Sequence, residues 1–299
     1  MKEKKVVLVT GSSTGFGKLT AETLARAGYA VRATMRNVSG SNRAAAANLE
    51  GLAKAESLDL KVVELDVLDS ESVNTAVAQI VSESGRIDVL VNNAGVAYAG
   101  LTEAFSEEQV LKQFDTNVLS MIRLNKAVLP HMRRNRSGLL INVTSVIARV
   151  VFPFYGLYCA SKFAMEAISE SLRYELAGLG VDSVILEPSA YPTPIYASTT
   201  SPADQEVVAE YGAIADLQNQ IGEGFKAMFD GPNAPNPQDI ADAVLRLIET
   251  PAGERPLRTL VGNDFGVNNI NATAHTVQNG VLQAFGLQET AQVKPLAKV

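Results

Sequence analysis

Tyr158 and Lys162 are the two residues whose types and spacing allow proton-transfer chemistry most directly. They are four positions apart, so on a helix they lie on one face. A free tyrosine has a pKa near 10, and lowering it by ~3 units requires ~4 kcal/mol of differential stabilisation of the phenolate. A lysine ammonium one turn away is a source of that stabilisation, which makes Tyr158 a candidate general acid/base. The alternative is an amphipathic helix with a structural tyrosine and a snorkelling lysine. Tyr155 competes in position, but the fourth residue after it is Cys159 rather than a lysine.

A glycine-rich turn near the N-terminus is a second candidate for binding chemistry. Residues 10–17 read TGSSTGFG and contain Gly11, Gly15 and Gly17. Glycines permit a tight turn and let a phosphate group approach the backbone, where the first N–H groups and the dipole of a following helix hold its charge. The pattern predicts a pyrophosphate site, and the alternative is an ordinary strand-to-helix turn.

The elements that position these residues alternate regularly between short β-branched runs and longer segments of helical period. The predicted strands are Val6–Thr10, Ala30–Thr34, Lys61–Glu64, Asp88–Val91, Leu139–Val143, Val184–Leu186 and Arg258–Val261. The predicted helices are Lys18–Ala27, Arg43–Glu56, Ser70–Ser84, Ser106–Arg134, Tyr158–Leu179 and Pro237–Glu249. Strands that are almost continuously Val, Ile and Leu are typical of a parallel sheet buried on both faces. The alternation therefore predicts an α/β, doubly wound, Rossmann-type parallel sheet.

The domain prediction is a single dinucleotide-binding domain over residues 1–299 with a substrate-loop insertion. From about residue 189 to 237 the alternation gives way to an irregular stretch that contains several aromatic residues. Long insertions in a compact domain are often lids, so we expect residues 191–230 to form a mobile flap. The alternative is a surface loop with a few helical turns. Residues from about 265 to 299 are expected to form a C-terminal extension with one weak helix.

Composition excludes several classes of function. The net charge of −6 and a pI near 5.1 argue against a nucleic-acid partner. One cysteine, Cys159, and two histidines in no metal-ligand spacing predict neither a disulfide nor a metal site. The apolar run after the charged N-terminus, Val6–Val9, is too short for a signal peptide, and no run approaches a membrane span. We expect a cytoplasmic protein.

Three motifs together carry a resemblance to a known family. They are the glycine turn spaced G-x-x-x-G-x-G, Asn92-Asn93-Ala94-Gly95 after the fourth strand, and Tyr158-Cys159-Ala160-Ser161-Lys162. In order and spacing, residues from about 5 to 195 resemble the short-chain dehydrogenase/reductase family. Residues 142–176 are most similar to members that act on steroids, retinoids or other hydrophobic carbonyls. The resemblance implies a nicotinamide-dependent oxidoreductase that interconverts a ketone or aldehyde and an alcohol, with a hydrophobic substrate and a homodimeric or homotetrameric assembly.

The resemblance also implies the catalytic residues. Ser145 matches the family serine that hydrogen-bonds the substrate oxygen. Thr144 stands beside it, and strand alternation alone does not decide between the two side chains. Asn117 matches the asparagine that holds a water joining the lysine to solvent, with a polar kink in a long helix as the alternative. Tyr158 is implied as the acid/base. Lys162 is implied as its activator, helped by the positive nicotinamide of the oxidised cofactor, and as a ligand of the nicotinamide ribose.

The implied cofactor-binding residues are spread over the carboxyl ends of the strands. They are Gly11, Ser13, Thr14, Gly15, Phe16, Gly17, Arg36, Asp66, Val67, Asn93, Ala94, Gly95, Tyr158, Lys162, Pro188 and Thr193. NAD-preferring relatives have an acidic residue at the end of the second strand, whereas this chain has Met35 followed by Arg36. A guanidinium there predicts NADP(H), with NAD(H) disfavoured, and the alternative is that Arg36 is a solvated surface charge. Two departures from the family pattern are Thr14, where some NADP-binding members have a basic residue, and Ser189, where the family has a glycine.

Two other functions are compatible with part of this pattern. One is a non-catalytic regulator that senses the dinucleotide, although such a protein does not need Ser145, Tyr158 and Lys162 together. The other is a sugar-nucleotide epimerase or dehydratase of the same superfamily, which has a different glycine spacing and a longer substrate domain.

Overall fold

A seven-stranded, fully parallel sheet forms the centre of the protein. The computed structural model describes residues 4–293 of the chain. The strands are Val6–Val9 (β1), Ala30–Met35 (β2), Leu60–Glu64 (β3), Val89–Asn92 (β4), Gly138–Val143 (β5), Val181–Pro188 (β6) and Arg258–Val261 (β7). Their order is β3-β2-β1-β4-β5-β6-β7. The order reverses between β1 and β4, and in such sheets ligands bind in the crevice beyond the carboxyl ends of the strands at that point.

The helices connect successive strands and cover both faces of the sheet. They are Gly15–Arg26 (α1), Arg43–Ala55 (α2), Ser70–Ser84 (α3), Glu107–Phe114 (α4), Ser120–Arg134 (α5), Gly156–Leu176 (α6), Gln205–Glu210 (α7), Ala213–Asp230 (α8), Gln238–Glu249 (α9) and Val267–Ala284 (α10). Among residues 4–293, none of these helices is both long enough and apolar enough to cross a bilayer.

Alternating residues of each strand supply two separate cores. On one face, Val7 and Val9 of β1 pack in a cluster with residues of α1, α2 and α9. On the other face, Val6 and Leu8 pack with residues of α3, α5 and α6. Every residue of β1 is buried, because the sheet is covered on both sides. The predicted doubly wound α/β fold is confirmed.

One predicted helix is interrupted. Residues 106–134 were expected to form a continuous helix, but the wider π-helical turn Asp115–Leu119 separates α4 from α5. Such turns insert a residue into the helical ladder and often occur at functional sites. Here the turn contains Asn117, whose side-chain amide hydrogen-bonds the backbone of Val96. Period counting alone does not reveal such an interruption, because the apolar pattern continues on both sides of it.

The stretch from 189 to 237 is more regular than predicted. It contains α7, which begins at Asp204 as N-cap, and the 18-residue helix α8. Ile214, Leu217, Ile221 and Phe225 follow a helical spacing in α8, but Gly222 and Gly224 weaken the helix propensity of the segment. The predicted helix after residue 265 is present as α10, whereas residues 294–299 of the predicted C-terminal extension lie outside the described part. The single-domain assignment stays a prediction.

Candidate active site

A single cavity at the carboxyl edge of the sheet contains most of the predicted site residues. Its volume is about 1020 Å³. It is lined by Gly11, Ser13, Thr14, Gly15, Phe16, Arg36, Asp66, Val67, Asn93, Ala94, Gly95, Ser145, Tyr158, Lys162, Pro188 and Thr193. Two predicted residues, Gly17 and Asn117, are buried behind this lining. The cavity therefore connects the glycine turn at one end with the tyrosine–lysine pair at the other.

Helix α6 brings the predicted proton-transfer residues, Tyr158 and Lys162, to the end of strand β5. Lys162 is buried, and its Nζ donates a 2.9 Å hydrogen bond to the carbonyl of Val143. The same Nζ lies 5.6 Å from the centroid of the Tyr158 ring. Because Tyr158 precedes Lys162 by one helical turn, anchoring the lysine to β5 also fixes the tyrosine at the cavity wall.

The protein's own groups raise the pKa of Tyr158, whereas the predicted lowering involves Lys162 together with the oxidised nicotinamide and stays a prediction. Burial, together with neighbouring Cys159 and Tyr155, raises the pKa of the Tyr158 phenol well above its usual range. Burial also lowers the pKa of Lys162 to about 8, against a smaller opposing influence of the Glu166 carboxylate. Desolvation disfavours the charged form of both groups and is the largest influence on each. The phenol is thus held protonated and is suited to donate a proton.

The structure distinguishes Ser145 from Thr144. The Thr144 side chain is buried, and its hydroxyl donates to the Glu166 carboxylate (2.8 Å). Ser145 is less buried, and its hydroxyl donates at 3.4 Å to the carbonyl of Pro188 and accepts at 3.3 Å from the Ile147 amide. Both contacts are long, so the Ser145 hydroxyl can turn toward a ligand in the cavity. This geometry favours Ser145 as the substrate-facing hydroxyl.

Asn117 is fully engaged within the protein. Its amide nitrogen donates to the Val96 carbonyl and to the Ser161 hydroxyl, each at 3.0 Å, and its amide oxygen accepts from the Val96 N–H at 2.9 Å. These bonds join the loop after β4 to helix α6. The side chain therefore positions the elements around Lys162, and its predicted water-holding role stays a prediction.

The glycine turn has the shape of an anion cradle. A Cβ on Gly17 would lie 2.3 Å from the carbonyl oxygen of Gly11, so only glycine permits this close approach. Asn93 braces the turn by donating to the Thr10 carbonyl at 2.8 Å. The N-cap residue of α1, Thr14, does not accept a side-chain hydrogen bond from the first turn, which also contains no acidic residue. Within the described part of the chain no side chain caps the amides of that turn, so the cradle fits a dinucleotide pyrophosphate.

Arg36 lies on the cavity rim beyond the end of β2. Its side chain is exposed and lines the cavity. Within the described residues its guanidinium has no hydrogen-bond or ion-pair partner. Met35, the last residue of β2, is buried in the core and also lines the cavity. Asp66 lines the cavity after β3 and accepts a 3.0 Å hydrogen bond from the Leu68 N–H.

The loop after β6 folds over the glycine turn. Tyr191 is buried and packs edge-on against Phe16, with ring centroids 5.6 Å apart. Thr193 is near enough that a Cβ on Gly15 would lie 3.6 Å from it. Ser189, which replaces the family glycine, does not have a positive φ, and its N–H donates to the Val261 carbonyl at 2.9 Å. The substitution is accommodated by Gly262, where a Cβ would lie 2.4 Å from the Ser189 hydroxyl.

A buried charge network behind the site was not predicted from the sequence. Glu166 accepts from both Thr144 and Arg258, and Arg258 also donates to Glu170. Glu187 is fully buried near Arg258, and burial with the neighbouring Glu166 raises the pKa of Glu187 to about 7. The contacting residues are more than 20 positions apart in most of these pairs, so no local spacing could have revealed them. A glutamate inside a strand that is otherwise apolar, as in Val184–Pro188, was the available signal.

Comparisons with known proteins agree with this geometry. The family model for short chain dehydrogenase matches residues 5–204. The chain is 38% identical to 3-ketodihydrosphingosine reductase of Bacteroides thetaiotaomicron, over 87% of this chain and 88% of that protein. It is 40% identical to mouse 17-beta-hydroxysteroid dehydrogenase type 1, over 82% of this chain and 71% of that protein. Alcohol dehydrogenase of Thermococcus sibiricus, solved with 5-hydroxy-NADP, has a TM-score of 0.69 at 27% identity and covers 87% of this chain and 96% of its own. The predicted resemblance, including its steroid-related members, is confirmed.

The burial of Lys162 predicts a pH-dependent stability. Its pKa of about 8 in the folded protein is below the ~10.4 of an unfolded chain. Between these values the unfolded state binds more protons, so the free energy of unfolding rises with pH. From about pH 7 to about pH 9.5, we expect the stability of the wild type relative to Lys162→Met to increase by roughly 2 kcal/mol in urea unfolding.

The matched control is Lys126→Met, at an exposed lysine on α5. Its stability difference from the wild type should be the same at both pH values. If the stability of the wild type relative to Lys162→Met stayed constant or fell with rising pH, the lowered pKa of the buried Lys162 ammonium would be contradicted.

Proposed function

The chain belongs to the short-chain dehydrogenase family, and we propose that it is an NADP(H)-dependent oxidoreductase that interconverts a ketone or aldehyde and an alcohol. The observation that carries this proposal is the convergence of Ser145, Tyr158 and Lys162 on a cavity that begins at the glycine turn. A dinucleotide-sensing regulator needs the turn but not these three side chains. A panel of apolar ketones with NADPH, followed by loss of its absorbance, tests the proposal.

In this proposal some residues bind the dinucleotide and others orient the substrate or transfer a proton. The first-turn amides of α1 hold the pyrophosphate, Asp66 and the Val67 backbone hold the adenine end, and Thr193 meets the nicotinamide end. When bound, the dinucleotide supplies or accepts the hydride. Ser145 orients the substrate oxygen, and Tyr158 donates a proton to it in reduction or accepts one in oxidation. Lys162 keeps positive charge beneath the phenol and holds the ribose hydroxyls.

Two features support a hydrophobic substrate. The part of the cavity beyond Tyr158 is lined by apolar side chains, among them Val150, Ile195, Ile221 and Met228. Mouse 17-beta-hydroxysteroid dehydrogenase type 1, by its name, acts on a steroid. Apolar walls favour a ligand whose surface is removed from water on binding. A homo-oligomeric assembly and a cytoplasmic location are part of the same proposal, and an exposed Phe163 on α6 is consistent with a subunit contact.

Tyr158→Phe tests the acid/base assignment. We expect kcat to fall by about two to four orders of magnitude, because general acid/base catalysis typically contributes that much. The dissociation constant for NADPH should stay within a few-fold, since the hydroxyl is not needed for dinucleotide binding. Tyr174→Phe is the control, because Tyr174 lies on the same helix with its hydroxyl bonded to Glu170. Near-normal kcat in Tyr158→Phe would show that another group transfers the proton.

Arg36 tests the choice of cofactor. An unpaired guanidinium on the cavity rim can bind the 2′-phosphate of NADP(H), and charge-assisted hydrogen bonds contribute ~1.5–3 kcal/mol. Arg36→Ala should therefore weaken NADPH binding roughly ten- to a hundred-fold and leave NADH binding nearly unchanged.

Arg36→Asp should reverse the preference, because a carboxylate repels the phosphate and accepts hydrogen bonds from a ribose hydroxyl. The acidic residue is placed at position 36 since the Met35 side chain belongs to the core. Arg43→Ala, at an exposed arginine of α2 outside the cavity lining, is the control. Equal kcat/KM with NADH and NADPH in the wild type would refute the assignment of Arg36.

Residues 191–230 form a lid in this proposal. Neither α7 nor α8 contains a buried residue, so these two helices are not anchored in the core of the sheet. Hydrogen exchange in residues 191–230 should slow when NADP⁺ and an alcohol are added, because the closed lid excludes water. Exchange in α9, which packs in the core beside α1, should not change. If hydrogen exchange in residues 191–230 were unchanged by both ligands, the role as a lid would be excluded.

A further inference from the structure

The substrate half of the cavity has a wall of aromatic rings next to Tyr158. Phe152, Tyr155, Tyr196 and Phe225 line it. Phe225 of α8 lies 4.9 Å from Tyr196, 5.8 Å from Phe152 and 6.2 Å from Tyr155, measured between ring centroids. The Tyr155 ring lies 6.4 Å from the Tyr158 ring. These four residues, here called the aromatic wall, thus extend from the lid helix to the proton-transfer tyrosine.

Two hydroxyl groups of the aromatic wall have no partner in the protein. Within residues 4–293, neither the Tyr155 nor the Tyr196 hydroxyl makes a hydrogen bond. By contrast, Tyr174, Tyr191 and Tyr211 each donate to a carboxylate. Burial raises the pKa of Tyr155 and of Tyr196, so both phenols remain neutral donors.

The two hydroxyls are accessible from the cavity, because Tyr155 and Tyr196 are only half-buried and neither hydroxyl belongs to the buried polar atoms that lack a partner among the described residues. A ligand that displaces water from this space must replace the hydrogen bonds of both groups, since burying a polar group without one is unfavourable. Both tyrosines line the cavity, so a ligand in that space can accept from them. Because the Tyr155 and Tyr158 rings are adjacent, one phenol can reach the reacting oxygen while another reaches an oxygen on a neighbouring carbon.

The charges around this half of the cavity limit the ligand further. Of the charged residues that line the cavity, Arg36 and Asp66 follow strands β2 and β3, and Lys112 is exposed on α4. Lys162 is bonded to the Val143 carbonyl. Among the described residues, the aromatic wall therefore offers no side chain to pair with a carboxylate or an ammonium, and burying an unpaired charge is costly.

We propose that Tyr155 and Tyr196 form a second hydrogen-bonding subsite, which selects uncharged, apolar ketones that have a hydroxyl or second carbonyl oxygen on the carbon next to the reacting carbonyl. The remainder of the ligand lies against Phe152 and Phe225. This inference deepens the proposed function and rests on it. Tyr155 and Tyr196 are specificity-determining residues in this scheme, and Tyr158 alone transfers the proton.

Three ligands of equal chain length test the subsite. They are 2-decanone, 1-hydroxy-2-decanone and 2-oxodecanoate, which differ only at the carbon beside the carbonyl. With NADPH, the wild type should have a kcat/KM roughly tenfold higher for the hydroxyketone than for the plain ketone, as expected for one added hydrogen bond. The keto acid should be the poorest of the three. Tyr196→Phe and Tyr155→Phe should each reduce the preference for the hydroxyketone and leave kcat/KM for 2-decanone within about threefold.

Tyr211→Phe is the matched control, because its hydroxyl is bonded to Glu103 and it does not line the cavity. The proposal would be overturned if the wild type did not prefer the hydroxyketone to 2-decanone, or if this preference were unchanged in both Tyr155→Phe and Tyr196→Phe. Either result would show that only water binds to these hydroxyls. An equal fall in kcat/KM for 2-decanone and 1-hydroxy-2-decanone in Tyr155→Phe and Tyr196→Phe would also overturn the proposal. It would mean that the two tyrosines only support the lid.

Calorimetric titration of the ligands into the NADP⁺-loaded protein separates this inference from the proposed function. If no ketone oxidises NADPH, the proposed function fails. The subsite is still supported if the hydroxyketone binds more tightly than 2-decanone in the wild type but not in Tyr196→Phe. It is overturned if the two ligands bind equally well to the wild type.

Discussion

The hydrogen bond from the Lys162 ammonium to the Val143 carbonyl is the interaction on which the site depends most. It places a buried cation of α6 on the last residue of β5, two residues before Ser145. A buried ammonium without an acceptor would be costly, so helix and strand are constrained to meet at this point. Thr144 and Glu166 form a second tie between the same two elements, one helical turn further along. Tyr158 and Ser145 face the cavity together because both ties fix the helix to the strand.

The second tie connects the site to the far edge of the sheet. Glu166 and Glu187 are both buried, and Arg258 of β7 lies between them. Asn271 of α10 donates to Glu187 at 2.7 Å and accepts from Arg149 at 2.8 Å. Buried ion pairs of this kind contribute little net stability, but removing one partner leaves an uncompensated charge. The network therefore fixes β6, β7 and α10 relative to the catalytic edge more than it strengthens the fold.

The sequence predicts features that depend on neighbouring residues, but not those that depend on contacts between residues far apart in the chain. The strands, the glycine turn and the Tyr158–Lys162 spacing are local patterns, and the structure reproduces them. Ser145 could be separated from Thr144 only by the resemblance, since the deciding contact of Thr144 is with Glu166, 22 residues later. The π-helical turn at Asn117 depends on bonds to Val96 and Ser161, which no helical period contains. Spacing reports the nearest charge but not burial, so the sequence does not reveal that the surrounding protein raises the pKa of Tyr158.

In the proposed function, the two ends of the cavity bind their ligands through different interactions and through separate segments. At the dinucleotide end, backbone amides and the Arg36 guanidinium would attract negative charge. At the substrate end, rings and neutral hydroxyls would act through apolar contact and short-range hydrogen bonds. The loop after β6 is the exception, because Tyr191 packs on Phe16 beside the glycine turn while Tyr196 packs on Phe225. Energetic effects of distant, unconnected substitutions usually add, so we expect the effects of substitutions at Arg36 and Tyr196 to be independent, whereas substitutions within residues 191–196 should affect both ends.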